Sequence, residues 1–221
     1  MYLLGNQICF PPVTNADADG LLAIGGDLSE ERLLLAYHNG IFPWYNDGEM
    51  IQWWCPDPRF VLYPAELRVS KSMRRIIQQQ AFIFRFNTAF ESVIENCRTV
   101  FREGQKGTWI QTEVAEAYTL LHRRGYAVSA EAWKNDKLVG GLYGIRIGNI
   151  FFGESMFSNE SNASKFAFIN YVEQLRKEGV LLIDCQVYTP HLESLGARMI
   201  SRNLFCKILQ EGIGTEKNTS F

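Results

Sequence analysis

The chain has 221 residues, 47% hydrophobic and 21% charged, the profile of a globular protein built as one large domain or as a compact domain with a smaller attachment. A formal net charge of −2 excludes polyanion binding through bulk charge, so any nucleic-acid contact has to come from a local basic patch. Five cysteines, at positions 9, 55, 97, 185 and 206 with no CxxC pair, and no basic leader in MYLLGNQICFPP, predict a reducing, cytoplasmic setting.

Residues 1–63 are rich in Pro, Gly and Trp and read as a small N-terminal domain whose apolar surface packs onto something larger. Within it GGDLSEERLLLAYHNG predicts a short helix, with Asp27 and Glu30 at capping-box spacing and Gly40 as its stop. GIFPWY and IQWWCPDPRFVLYP follow, where prolines forbid long helices and favour extended pieces. From residue 64 to 221 the pattern changes. RVSKSMRRIIQQ starts a helix, AFIFRFN is a short strand, and FESVIENCRTVF and TEVAEAYTLLHRRG are helices, the second ended by Gly125. Three strands come next, AVSAEAWKN, KLVGGLYGIRIG and NIFFGESMF, joined by turns at 135–137 and 148–149 suited to hairpins. SNASKFAFINYVEQLRKEG is an amphipathic helix, with Phe166, Ile169, Val172 and Leu175 near helical spacing. LLIDCQV then reads as a strand, HLESLGA as a short helix, RNLFCKIL as a last strand, and GIGTEKNTSF as a frayed tail.

No apolar run approaches the ~20 residues of a bilayer span. His38, His122 and His191 are too scattered for a metal motif, and there is neither HExxH nor a Walker glycine loop. No metal or other cofactor is expected. The order of elements is that of an α+β protein whose larger part is an acyltransferase-type (GNAT-like) domain, a mixed sheet flanked by helices. In that fold the strands on either side of the main helix run parallel and splay apart around the acyl group. This is an analogy of fold and decides no chemistry.

LLIDCQV raises the sharpest question, because an ionised carboxylate in an apolar strand is costly unless paired. By alternation Leu182, Asp184 and Gln186 share one face, and Leu181, Ile183, Cys185 and Val187 the other. Either Asp184 caps a nearby helix or turn, or the polar end of the strand faces a cleft. Cys185 followed by His191 invites a thiol nucleophile, but alternation points the thiol into the core, where it is inert. GESMFS is not a GxSxG elbow. The region after it, FSNESNASKF, has no glycine, so a coenzyme A pyrophosphate would find no glycine-rich nest. Arg68, Lys71, Arg74, Arg75 and Arg85 lie in a stretch from Leu67 to Phe90 without a single acid. They form either a phosphate-binding patch or a solvated helix face. Trp44, Trp53, Trp54 and Trp109 are candidates for stacking on bases, with Trp53 or Trp54 the candidate for plain core.

The segments GLLAIGGDLS, GIFPWY, WWCPDPR, GTWI, LVGGLYG, FGESMFS, NASK and LIDCQV, in this order, resemble the leucyl/phenylalanyl-tRNA–protein transferase family over nearly the whole chain, from about Phe10 to Leu209. The resemblance implies an enzyme that moves Leu, Phe or Met from aminoacyl-tRNA to the α-amine of proteins starting with Arg or Lys, marking them for the N-degron route. The donor is an activated ester, so neither ATP nor metal is needed. It further implies that Gln186 sits at the reaction centre, that Asp184 orients or polarises it, and that Glu154 contacts the terminal adenosine or the incoming amine. Trp44 and Trp109 become walls for the adenosine. Leu142, Phe151, Met156, Phe168, Tyr171 and Ile183 become an apolar bowl that takes Leu, Phe or Met and crowds β-branched side chains. Ile183 lies opposite Asp184 by strict alternation, so a bulge or a different role is expected there. The basic patch would grip the acceptor stem, and a monomer with no membrane contact is expected. Two rivals stay open: a coenzyme A-dependent N-acyltransferase of the same fold, and a non-catalytic module binding tRNA ends or N-degrons.

Overall fold

A computed structural model describes residues 2–99 and 110–214. Trp109 and the tail from Thr215 onward lie outside these residues. In the N-terminal part β1 (Tyr2–Leu4) pairs in parallel with β2 (Leu21–Gly25). Helix α1 (Glu30–His38) follows, and β3 (Phe42–Pro43) and β4 (Gln52–Trp54) complete a four-stranded sheet ordered β1-β2-β4-β3. The capping box expected from Asp27 and Glu30 does not form. Ser29 caps α1, its hydroxyl accepting from the Arg32 N–H. Asp27 accepts from the Ser29 N–H and pairs with the guanidinium of Arg32, because a fully buried arginine requires an acid. Gly40, at φ +72°, ends the helix as expected.

The chain then builds a larger sheet. Its elements are β5 (Arg59–Leu62), α2 (Lys71–Gln78), β6 (Ile83–Phe86), α3 (Phe90–Thr99), α4 (Thr112–Arg123), β7 (Ala127–Lys134), β8 (Lys137–Ile147), β9 (Ile150–Ser158), α5 (Ala163–Lys177), β10 (Leu182–Gln186), α6 (Pro190–Ser194), β11 (Arg198–Ile200) and α7 (Arg202–Ile213). Seven strands lie in the order β11-β5-β10-β9-β8-β7-β6. β9 and β10 are parallel and every other neighbouring pair is antiparallel. The result is an α+β protein with a mixed sheet flanked by helices. The β7–β8 turn places Asn135 and Asp136 at φ +50° and +56°, as a type I′ hairpin requires.

One element departs from expectation. RNLFCKIL is helix α7, not a strand; the last strand is β11, just before it. Ser201 caps α7, accepting from the Leu204 N–H, and Phe205 and Leu209, one helical turn apart, are among its buried residues.

Helices α2 and α5 cover one face of the sheet, burying Leu142, Phe151, Phe168 and Ile183; α1, α3, α4 and α7 belong to the core on the other side, with Tyr37, Tyr118, Phe152 and Leu182. Two glycines of LVGGLYG set the spacing. A Cβ on Gly140 would stand 2.6 Å from the Ala163 Cβ, and one on Gly144 would stand 2.1 Å from the Phe152 carbonyl oxygen. Their lack of a side chain lets α5 and β9 lie close against β8. Glu131, fully buried on β7, accepts from the backbone N–H groups of Thr88 and Ala89 at 2.8 and 2.9 Å and from Trp133 Nε1 at 2.9 Å. It satisfies donors at the start of α3 that would otherwise be orphaned. Among the described residues no helix is long and apolar enough to cross a membrane.

Candidate active site

The parallel pairing of β9 and β10 stops at Asp184, opposite Phe152. β9 runs on to Ser158 against β8, while β10 acquires a bulge against β5 between Asp184 and Gln186, with Gln186 at φ +64°. The two strands therefore part, and a cavity of about 470 Å³ opens between them. Leu142, Met156, Phe168 and Ile183 belong to its apolar lining, Glu154, Asp184 and Gln186 to its polar lining, and Trp44 also borders it. The volume lies in the usual range for a small-molecule site, roughly 300–1,000 Å³.

Asp184 borders the cavity and is fully buried, its carboxylate held by protein groups. Arg59 grips it with two bonds, Nε to Oδ1 at 2.8 Å and Nη2 to Oδ2 at 2.7 Å. The guanidinium itself sits between the rings of Phe42 and Phe205, 4.7 and 4.6 Å from their centroids. Oδ1 also accepts from the backbone N–H of Gln186 at 2.9 Å, and that bond holds the bulge. The acid thus orients Gln186 through its main chain, while the fork on Arg59 offsets the cost of burying a charge.

Gln186 donates from Nε2 to Glu154 Oε1 at 3.0 Å, which leaves its amide oxygen as an acceptor in a side chain that lines the cavity. Glu154 also accepts from Tyr37 at 2.8 Å and Tyr118 at 3.1 Å, and the two phenols hydrogen-bond each other. Burial pushes the Glu154 carboxyl up to about 7; the donors Tyr37, Tyr118 and Gln186 pull it down, and the charge of Asp184 adds to the rise. Burial likewise holds both phenols well above the ordinary tyrosine range.

Sequence reasoning brought Glu154, Asp184, Gln186, Trp44, Leu142, Met156, Phe168 and Ile183 to this cavity, and they meet there. Ile183 lines the bowl although its neighbour Asp184 also borders the cavity; the expected bulge falls one step later, after Asp184. Phe151 and Tyr171 do not border the cavity. They back its wall, ring to ring, with centroids 5.0 Å apart. Cys185 is buried, its thiol pushed far above the usual range by burial, as the core-facing reading had it. Trp53 is fully buried and donates to the Gly25 carbonyl, so it is core. Arg68, Lys71, Arg74 and Arg75 are exposed on α2 and the turn before it. Arg68 abuts α6 through a bond from its N–H to the Leu195 carbonyl. Arg85 stands apart on β6, over the Trp133 ring and paired with Asp136.

Three functional candidates escaped the sequence reading: Arg59, Tyr37 and Tyr118. For Arg59 a signal existed, since a buried acid demands a cation and RFVL is an apolar run headed by one. The tyrosines sit on amphipathic helices, where nothing local distinguishes them from core.

An apolar pocket opening onto a hydrogen-bonded acid–amide pair, in a mixed-sheet α+β frame, has the make-up of an enzyme's small-molecule site. Residues 61–210 match the family described as leucyl/phenylalanyl-tRNA protein transferase, and residues 26–57 match that family's N-terminal domain. A leucyl/phenylalanyl-tRNA–protein transferase of Flavobacterium johnsoniae is 57% identical over 210 residues, covering 95% of this chain and 99% of that one. That of Christiangramia forsetii is 57% identical over 211 residues, covering 95% and 100%. That of Chromobacterium violaceum is 50% identical over 212 residues, covering 95% and 91%. The chain belongs to the leucyl/phenylalanyl-tRNA–protein transferase family.

Proposed function

We propose that this protein moves Leu, Phe or Met from aminoacyl-tRNA to the α-amine of proteins that begin with Arg or Lys, marking them for degradation by the N-degron route. Family membership supports the reaction class. The observation that carries its location is the cavity between β9 and β10, largely apolar and lined also by the hydrogen-bonded Glu154–Gln186 pair. The bowl of Leu142, Met156, Phe168 and Ile183, backed by Phe151 and Tyr171, takes the aminoacyl side chain. Trp44 and Trp109 hold the terminal adenosine. Arg68, Lys71, Arg74, Arg75 and Arg85 meet the acceptor-stem phosphates through interactions that are blind to sequence.

The chemistry is attack of an amine on an activated ester. A C–N bond forms, the C–O bond to the ribose breaks, and the ribose oxygen leaves with a proton. An amide is a feeble base, so Gln186 works by position: tied to Glu154 through Nε2, it offers its carbonyl oxygen to an N–H of the amine. Asp184, anchored by Arg59, fixes the backbone that carries Gln186. Glu154 is the group poised to exchange a proton near neutrality.

The larger part is read as a GNAT-like domain, a reading supported by the parallel β9–α5–β10 crossover whose strands splay. Residues 1–63 and 64–221 are the proposed domains; the pairing of β5 within the larger sheet favours a boundary a few residues earlier. The working form is proposed as a cytoplasmic monomer, its seven-stranded sheet covered on both faces by helices of its own chain. Transfer of labelled Leu from Leu-tRNA to a panel of peptides is the test. Product on Arg- and Lys-starting peptides is expected. Binding of tRNA and peptide without product would indicate a binding module, and saturable acetyl-coenzyme A binding the coenzyme A reading.

A further inference from the structure

The hydrogen bonds around Glu154 constrain where its proton sits. Tyr37 reaches Glu154 Oε1, Tyr118 reaches Glu154 Oε2, and Tyr37 meets Tyr118. Each phenol owns one hydrogen. With an ionised carboxylate, two hydrogens would have to serve these three oxygen pairs, and one pair would set lone pair against lone pair. With a proton on Oε2 every pair has its own. Glu154 then donates to Tyr118, Tyr118 to Tyr37, and Tyr37 back to Oε1. The remaining donor agrees with this direction, since Gln186 Nε2 also points at Oε1, the oxygen left as carbonyl.

We propose that Tyr37 and Tyr118 are positioning residues that close a three-hydrogen ring on Glu154, so that the resting site holds a protonated glutamic acid which is discharged when a cationic acceptor N-terminus arrives. This deepens the transferase reading and rests on it. The step balances. Approach of the ammonium expels the Glu154 proton to solvent, leaving a carboxylate beside the cation. The ammonium gives that carboxylate one proton and attacks as a neutral amine; the C–N bond forms, the ester C–O bond breaks, and the amine's second proton ends on the ribose oxygen. The products are an amide and an alcohol, one proton has gone to solvent, and Glu154 is loaded again.

Other groups bear on the same carboxyl. Tyr143 on β8 lies edge-on to Tyr118 with centroids 5.7 Å apart, and Asp184 and Gln186 approach from β10. Arg59 on β5 neutralises Asp184 from behind, which limits how far that acid can raise its neighbour. Burial also pushes the Glu154 carboxyl upward.

The acceptor amine titrates at about 7.7–8.0, so a rate profile alone would mix two groups. The direct measurement is infrared difference spectroscopy on the intact protein from pH 5.5 to 9, comparing wild type with Glu154→Gln. A protonated-carboxyl band absent from the variant is expected, fading with a midpoint of about 7, and fading at pH 6 when an Arg-starting peptide amide is added. Tyr37→Phe opens the ring, so that the remaining phenol hydrogen satisfies the ionised carboxylate and the midpoint should fall by roughly one pH unit, where the loss of a simple donor would raise it. Tyr118→Phe should do the same, and the acidic limb of kcat/KM for the acceptor should follow. A residue that only supports the fold would lower activity at every pH and leave the midpoint in place. No band at pH 5.5, a band indifferent to peptide, or a midpoint that stays or rises in both phenylalanine variants overturns the proposal. Absence of any transfer by wild type would overturn the transferase reading, while the spectroscopic result would still stand on its own.

Discussion

Asp184→Asn makes the most demanding test of the site's framework. Asp184 and Arg59 are both fully buried, and two short bonds join them. Removing one charge strands the other, which costs about 3–5 kcal/mol against a total stability of about 5–15 kcal/mol. For a chain of this size that is a fall in Tm of roughly 10 °C. Arg59→Met should cost a similar amount. The double variant removes both charges and should be well above the sum of the singles in stability, with a coupling of at least about 2 kcal/mol. Urea unfolding followed by near-UV circular dichroism gives all four corners of the cycle. Asn keeps an oxygen for the Gln186 N–H, so Asp184→Asn should lose stability more severely than it loses transfer rate at low temperature. Additive singles, or singles within about 1 kcal/mol of wild type, would refute the reasoning.

Other perturbations separate chemistry from scaffold. Gln186→Ala should cut the transfer rate at least tenfold with a Tm change under about 3 °C, since it deletes a half-buried side chain; unchanged turnover in a single-turnover assay would remove it from the reaction centre. Lys71→Glu with Arg74→Glu should weaken tRNA binding and flatten its salt dependence by about one unit of slope for each phosphate no longer neutralised; equal filter-binding affinities at low salt would dismiss the patch. Glu131 is pushed upward by burial, but its bonds from Thr88, Trp133, Ala89 and Ser129 outweigh this and hold it below the ordinary glutamate value. A lowered folded value means its contribution is present at neutral pH and lost as pH falls below about 4. Glu131→Gln should therefore cost about 1–3 kcal/mol at pH 7, with the gap to wild type closing in acid; a pH-independent gap would count against this.

Local signals in the sequence were enough for the meander, its hairpin turns and the long helix α5, because each rests on short-range cues: left-handed turn residues and a 3.6-residue apolar rhythm. RNLFCKIL failed because a short apolar run reads equally as strand or helix. What decided it was tertiary: Phe205 packs against Gly40 and beneath Arg59. LLIDCQV announced a problem that it could not solve by itself. Period-2 alternation set Ile183 apart from Asp184, yet both border the cavity, and the partner of Asp184 lies 125 positions away. The bulge that turns Gln186 outward is a product of that partnership. Tyr37 and Tyr118 were invisible for the same reason, being joined only across 81 positions of chain.

The aromatic sandwich around Arg59 has a consequence for how the molecule comes into being. One slice is Phe42, from the small sheet; the other is Phe205, from α7; and the guanidinium between them steadies Asp184. No contiguous piece of chain shorter than the span from Phe42 to Phe205 holds all four parts. The proposed reaction centre is therefore not a property of either half: it is assembled by closing a loop through most of the protein, and a growing or clipped polypeptide that lacks α7 has the strands but not the grip.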